Sequence, residues 1–176
     1  MSVVRVMTLA ELLPPGDHAT SFAARIPQIT MNTTSPSQLV LSRAQDASLR
    51  AAAENAYPAE CCGLLAGTGE ASLTLTQVVN AANIATDPQR QFTIDPQVHF
   101  DLLRRLRGTG ERVIGHYHSH PNGITGLSRQ DVAMADDPNA VWVIIALDAA
   151  QHARTPLAFV CPAGQEPMRI EIVIRP

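Results

Sequence analysis

A chain of 176 residues, 45% of them hydrophobic, is near the usual size of one domain with a proper core and gives no reason to seek a second. A formal net charge of −3 without any basic run argues against nucleic acid as the main partner, and no stretch approaches the roughly 18–20 apolar residues of a membrane span. All 13 residues counted as Lys plus Arg are arginines, a bias that an arginine-rich genome explains and that also leaves no lysine amine to be modified.

Residues 1–36 read as an N-terminal extension, a packing arm or a linker. Pro14-Pro15-Gly16 breaks a short apolar turn, and Thr33-Thr34-Ser35-Pro36-Ser37 has linker composition. The apolar start from Val3 to Ala10 is too short, and too soon broken by Glu11, for a convincing secretory signal, and Met31 is an alternative start. One domain is expected from 37 to 176. A strand at 38–42 leads through Ser42 into a helix at 43–56, followed by strands at about 61–67 and 72–80. An irregular stretch runs through Asp87-Pro88 to a short strand near Phe92-Thr93-Ile94. Asp95-Pro96 then caps a helix that ends at about 107, with Phe100, Leu102, Leu103 and Leu106 as its apolar residues and Arg104, Arg105 and Arg107 read as its wet face, the alternative being a docking patch for an acidic partner. The adjacent Cys61 and Cys62 would point to opposite faces of a strand, and three cysteines do not make a disulfide framework, which suits a reducing cytoplasm.

The stretch Val113 to Asp131, VIGHYHSHPNGITGLSRQD, carries the chemistry. His118 and His120 are two apart, so on a strand both imidazoles point the same way. Pro121 stops the strand, Asn122-Gly123 and Gly126 allow a turning loop, and Ser128-Arg129-Gln130-Asp131 reads as a capped helix start. Asp131 can therefore swing back toward the two histidines. Two imidazoles and one carboxylate suit a catalytic zinc better than a structural one, because three protein ligands leave a position for water. Some acid or base must still move a proton, and Glu60, where the first helix hands over to an apolar strand, is the best candidate. His116 shares the strand face but is read as packing or support. His18, His99 and His152 are read as ordinary surface or core residues, and Asp136 and Asp137 as solvated residues of the motif helix.

After the motif come Val141 to Leu147, Leu157 to Cys161 and Met168 to Ile174. The continuous apolar Val141 run suggests a sheet buried on both faces, and Ile170, Ile172 and Ile174 alternate. A mixed sheet with helices on both sides is expected.

His118-Ser119-His120-Pro121, six residues, Ser128, two residues, Asp131 resembles the JAMM motif of the MPN-domain metalloproteases, and Glu60-Cys61-Cys62-Gly63-Leu64-Leu65 resembles that family's catalytic-glutamate segment. The likeness spans about 37–176. It implies that His118, His120 and Asp131 hold zinc, that Glu60 is the general base and acid, and that Ser128 helps stabilise the oxyanion. It also implies an α/β fold of three α-β-α layers around a mixed central sheet, similar to the cytidine deaminases. The implied activity is that of a zinc metallopeptidase cutting the amide bond after the C-terminal Gly-Gly of a ubiquitin-like protein, either in a conjugate or in tail processing of a sulfur carrier. Long insertions are not evident, so a compact prokaryotic type is expected. A homodimer is left open. A non-catalytic MPN scaffold and a RadC-like relative are the alternatives. A zinc deaminase would need a His-x-Glu and a Pro-Cys-x-x-Cys pair, which this chain lacks.

Overall fold

The structure is a computed structural model that describes residues 35–176; the expected N-terminal extension, Met31 and His18 lie outside the described residues. In chain order the elements are β1 (Gln38–Ser42), α1 (Arg43–Ala56), β2 (Cys62–Thr68), β3 (Ser72–Ala81), α2 (Pro96–Leu106), β4 (Arg112–His120), α3 (Arg129–Ala133), β5 (Val141–Ala146), β6 (Leu157–Val160) and β7 (Met168–Arg175).

Local chemistry explains where the helices begin. Ser42 caps α1 in a reciprocal box with Gln45, whose side chain returns to the Ser42 N–H at 2.8 Å. Asp95 accepts from the Gln97 N–H at 2.9 Å, and Pro96 opens α2 where its missing N–H costs nothing. Arg104, Arg105 and Arg107 are exposed while Leu102 and Leu106 are buried; Leu103 is half-buried, and Phe100 of the apolar set stays exposed.

The strands pair in the order β1-β3-β2-β4-β5-β6-β7, and β1 closes the ring by bonding β7 as well as β3, parallel to both. β4 lies between β2, to which it is antiparallel, and β5, to which it is parallel. A mixed sheet with helices on both faces is therefore present, but it curls into a closed sheet rather than an open layer between two helical layers. The reason lies in β1. Its Leu39, Val40 and Leu41 are all buried, and both of its backbone edges are satisfied, so accumulated strand twist brings the two ends of the sheet onto one short strand.

Two apolar clusters lie on opposite faces. One joins Leu49 and Ala53 of α1 to Leu39, Leu65, Tyr117, Val143 and Ile145; the other joins Leu102 and Leu106 of α2 to Cys62, Leu64 and Ala66. Cys61 belongs to the first and Cys62 to the second, as strand alternation demands. Every residue of β5 is buried. The sheet is tight at two glycines: a Cβ on Gly115 would run into the Val141 backbone, and one on Gly63 would meet the Tyr117 ring at 2.5 Å.

Two expectations change. Phe92-Thr93-Ile94 forms no strand; a single bridge joins Ile94 to Asn83, because the Asn83 side chain takes the Thr93 N–H that a ladder would have used. The motif helix ends at Ala133, where the Met134 N–H bonds back to Gln130 and Asp131, so Asp136 and Asp137 lie beyond it. Among the described residues, no helix is long and apolar enough to cross a membrane.

Candidate metal centre and cleft

The end of β4 delivers two imidazoles to one point. In register, His118 faces Cys62 on one side and Ile144 on the other, and His120 faces Ala146, so both backbones are held within the sheet. Behind them Phe92 stacks on the His118 ring at 4.3 Å, and Trp142 stands edge-on to His116 at 4.0 Å. The rings are thus wedged by aromatic packing as well as by their strand.

After Pro121 the chain turns, and His120 Nδ1 lies 2.8 Å from the Ile124 carbonyl. Donation there fixes the tautomer and leaves the Nε2 lone pair pointing inward. Ser128 then caps α3: its Oγ accepts the Asp131 N–H at 3.1 Å, and its own N–H donates to Asp131 Oδ2 at 2.6 Å. This reciprocal cap aims the Asp131 carboxylate back at the histidines, with Oδ1 3.4 Å from His118 Nε2 and Oδ2 3.5 Å from His120 Nε2. The two Nε2 atoms are 3.0 Å apart.

These three side chains group as metal-ligand types among the described residues, all buried. Their fit to zinc can be tested by spacing, since ligands about 2.0–2.1 Å from a tetrahedral ion stand about 3.3–3.4 Å from one another. The Nε2–Nε2 separation of 3.0 Å and the carboxylate contacts of 3.4 and 3.5 Å, made by different Asp131 oxygens, lie on either side of that value. The donor chemistry agrees: two imidazole lone pairs and a carboxylate turned toward each other in a buried place need a cation or protons between them. Burial lowers the pKa of His118 despite Asp131. For His120 burial acts the same way, yet bonds to Asp131 and the Ile124 carbonyl prevail and raise it. Burial would raise Asp131, but its bonds to His118, His120 and Ser128 hold it well below the usual carboxylate range.

Glu60 sits just ahead of β2 and is 5% exposed. Burial, with help from Asp131 and Asp87 and against the pull of His120, raises its carboxyl from 4.5 to about 7, the range useful to a group that must take and return a proton. It lines a small cleft of about 50 Å³ together with His120, Ser128 and Asp131. One wall is Arg90, Gln91 and Phe92; the other is Asn122, Ile124, Gln130 and Met134. The walls touch where Gln130 Nε2 donates to Gln91 Oε1 at 3.3 Å. A wider groove of about 440 Å³ lies alongside, shares Ser128 and carries Val132 and Phe159.

Every sequence candidate in the motif thus reaches one place. His116 does not join the group: it is buried, its Nε2 has no hydrogen-bond partner, and burial with the neighbouring His118 takes its pKa to about 3, so it is neutral packing. Burial pushes the Cys61 and Cys62 thiols up to about 11 and about 12, away from reactive thiolates. What sequence reasoning missed is the wall at 90–92 and the Asn83 that holds it. Isolated polar residues in an aperiodic stretch leave no pattern, and Phe92, which does stand out, reads as strand rather than as a cleft wall.

Residues 43–159 match the family of prokaryotic homologs of the JAB domain. Over 113 residues the chain is 34% identical to a desampylase of Haloferax volcanii, covering 62% of this chain and 81% of that protein. Over 109 residues it is 30% identical to a probable TtuB-protein conjugate cleaving protease of Thermus thermophilus, covering 62% of this chain and 66% of that one. A solution structure of a Desulfitobacterium hafniense protein superposes with a TM-score of 0.68 at 27% identity, over 78% of this chain and 92% of the other. A Salinibacter ruber protein gives 0.58 at 25% identity, over 77% and 90%. The chain belongs to the prokaryotic JAB family.

Proposed function

We propose that this chain is a zinc-dependent isopeptidase that releases a ubiquitin-like protein from its conjugates by hydrolysing the amide bond after a C-terminal Gly-Gly, with residues 37–176 as the catalytic domain. The observation that carries the proposal is the convergence of His118, His120 and Asp131 at ligand spacing with buried Glu60 lining the same cleft. A conjugate cleaving protease and a desampylase among the relatives support that class of reaction. The cleft of about 50 Å³ suits a substrate tail without side chains. Free, buried cysteines suit a reducing cytoplasm.

Zinc held by His118, His120 and Asp131 would polarise the scissile carbonyl and acidify water at the open position. Glu60, poised near neutrality, takes the proton of the attacking water and passes it to the departing amine, so one carboxyl serves both halves of the reaction. Ser128 Oγ already accepts the Asp131 N–H, which leaves its own O–H free to donate into the cleft toward the oxyanion. Phe92 and the 90–92 wall keep bulk water from His118 and the scissile bond.

The test is cleavage of a Gly-Gly-ended ubiquitin-like protein joined to a lysine side chain, by purified protein with its zinc measured. Product ending in Gly-Gly, lost with a chelator and restored by zinc, is expected. Intact conjugate in the presence of one zinc per chain would leave the scaffold alternative standing.

A further inference from the structure

Glu60 lies outside the sheet, and its backbone is held by something other than a strand ladder. The ladder between β2 and β4 ends at Cys62 opposite His118. One residue earlier, Ser119 reaches across: its Oγ accepts the Cys61 N–H at 2.8 Å and its N–H donates to the Cys61 carbonyl at 3.1 Å. At Glu60 itself no strand remains. Its N–H donates to the Pro88 carbonyl at 2.7 Å, and its carbonyl accepts from Asn83 Nδ2 at 2.9 Å.

Asn83 does more than this. Nδ2 also faces the Gln91 carbonyl at 3.1 Å and the Pro88 carbonyl at 3.4 Å, while Oδ1 accepts the N–H groups of Ala85 at 3.1 Å and Thr93 at 3.0 Å. One amide group therefore ties both ends of the 85–93 segment together and fastens it to Glu60. No other side chain among the described residues bonds the Glu60 backbone. All its partners are main-chain atoms, so the arrangement depends on an amide at position 83 and on nothing chemical in the loop.

We propose that Asn83 is a positioning residue for the hydrolytic reaction, fixing the Glu60 backbone and the 90–92 wall relative to the β4 histidines. This rests on the isopeptidase reading. Asn83 touches no reacting atom and acts through Glu60; a general base displaced by a fraction of an ångström loses much of its effect, because proton transfer demands hydrogen-bond distance. Its amide cannot be replaced by a carboxylate, which keeps the two acceptor bonds but loses the donors to Glu60, Gln91 and Pro88.

The experiment compares Asn83→Ala and Asn83→Asp in the full chain, each with measured zinc content, using the Gly-Gly isopeptide conjugate and amide exchange of the free protein. Turnover should fall about 10–100-fold in both variants with zinc retained. The Glu60 N–H should exchange at least about tenfold faster while amides of Tyr117 to His120 keep their protection. In a Glu60→Gln background, Asn83→Ala should cost almost nothing more, since the two residues then act as one unit. Wild-type turnover in Asn83→Ala, an unchanged Glu60 exchange rate, or the same fold-loss with and without Glu60 would overturn the assignment. Should Asn83→Ala not fold, Asn83→Asp, which keeps the loop's acceptor bonds, carries the test alone. If the unaltered chain proves inactive, the isopeptidase reading fails while the exchange arm still decides whether Asn83 holds Glu60.

Discussion

The two sides of the cleft are built by different means. His118 and His120 hang from a strand with hydrogen-bonded neighbours on both sides and an aromatic wedge behind, whereas Glu60 is suspended beyond the end of β2 by Pro88 and a single asparagine. The histidine side is set by periodic structure. The glutamate side is set by individual side-chain-to-backbone bonds in a loop. Under the proposed reaction, the ligand set would rest on paired strands and the proton carrier on a loop tie that must hold it just as closely.

The largest effects should come from the stiff side. His118→Ala, His120→Ala or Asp131→Ala each leaves two ligands, too few to hold zinc well in water, so metal analysis should find little zinc and conjugate cleavage should fall to background. Full zinc occupancy in all three variants would sink the ligand assignment. Glu60→Gln should separate the two sides, keeping about one zinc per chain while turnover drops on the order of 10²–10⁴-fold. Loss of zinc from that variant would make Glu60 a ligand and erase the distinction between the sides.

Ser128 belongs to both, as cap of the helix that aims Asp131 and as a hydroxyl facing the cleft. Ser128→Ala should lower turnover by about 10²–10³-fold if one oxyanion donor is lost and zinc remains. The smallest expected effect is on stability. Glu60 has its folded pKa raised from 4.5 to about 7, so the fold gains from protonation as pH drops through 7 and bears the cost of a buried carboxylate above it. Metal-free Glu60→Gln should therefore be more stable than the unaltered chain at pH 8, by about 1–3 kcal/mol, and the gap should close toward pH 4.5. Denaturant titrations showing an equal gap at both pH values would remove burial of the charge as its source.

The same contrast governs what the sequence revealed. The i, i+2 histidines, the Ser128–Asp131 cap, the Ser42 and Asp95 helix starts and the all-apolar β5 follow from local rules, and each stands where those rules put it. Closure of the sheet did not follow, since it depends on β1 meeting both Ser72–Thr74 and Glu171–Arg175, partners far apart in the chain. The 90–92 wall was illegible for another reason: its backbone is held by Asn83, and a lone asparagine has no period. Phe92 read as strand because an aromatic beside Thr and Ile has strand propensity, but its ring was needed against His118. The family match covers 43–159 and so includes the cleft residues, while β1 and β7, the pair that shuts the sheet, fall outside it.

The five residues of α3 are too few to be helical by propensity alone, so the turn exists because Ser128 and Asp131 lock it. Asp131 spends one carboxylate on two tasks, holding the cap through Oδ2 and facing the histidines through both oxygens. A group shared in this way ties the cap of the turn to the placement of the two imidazoles. The turn it locks carries Val132, on the wider groove, and Met134, on the cleft, so one carboxylate sets the edge of both surfaces as well as the histidine cluster.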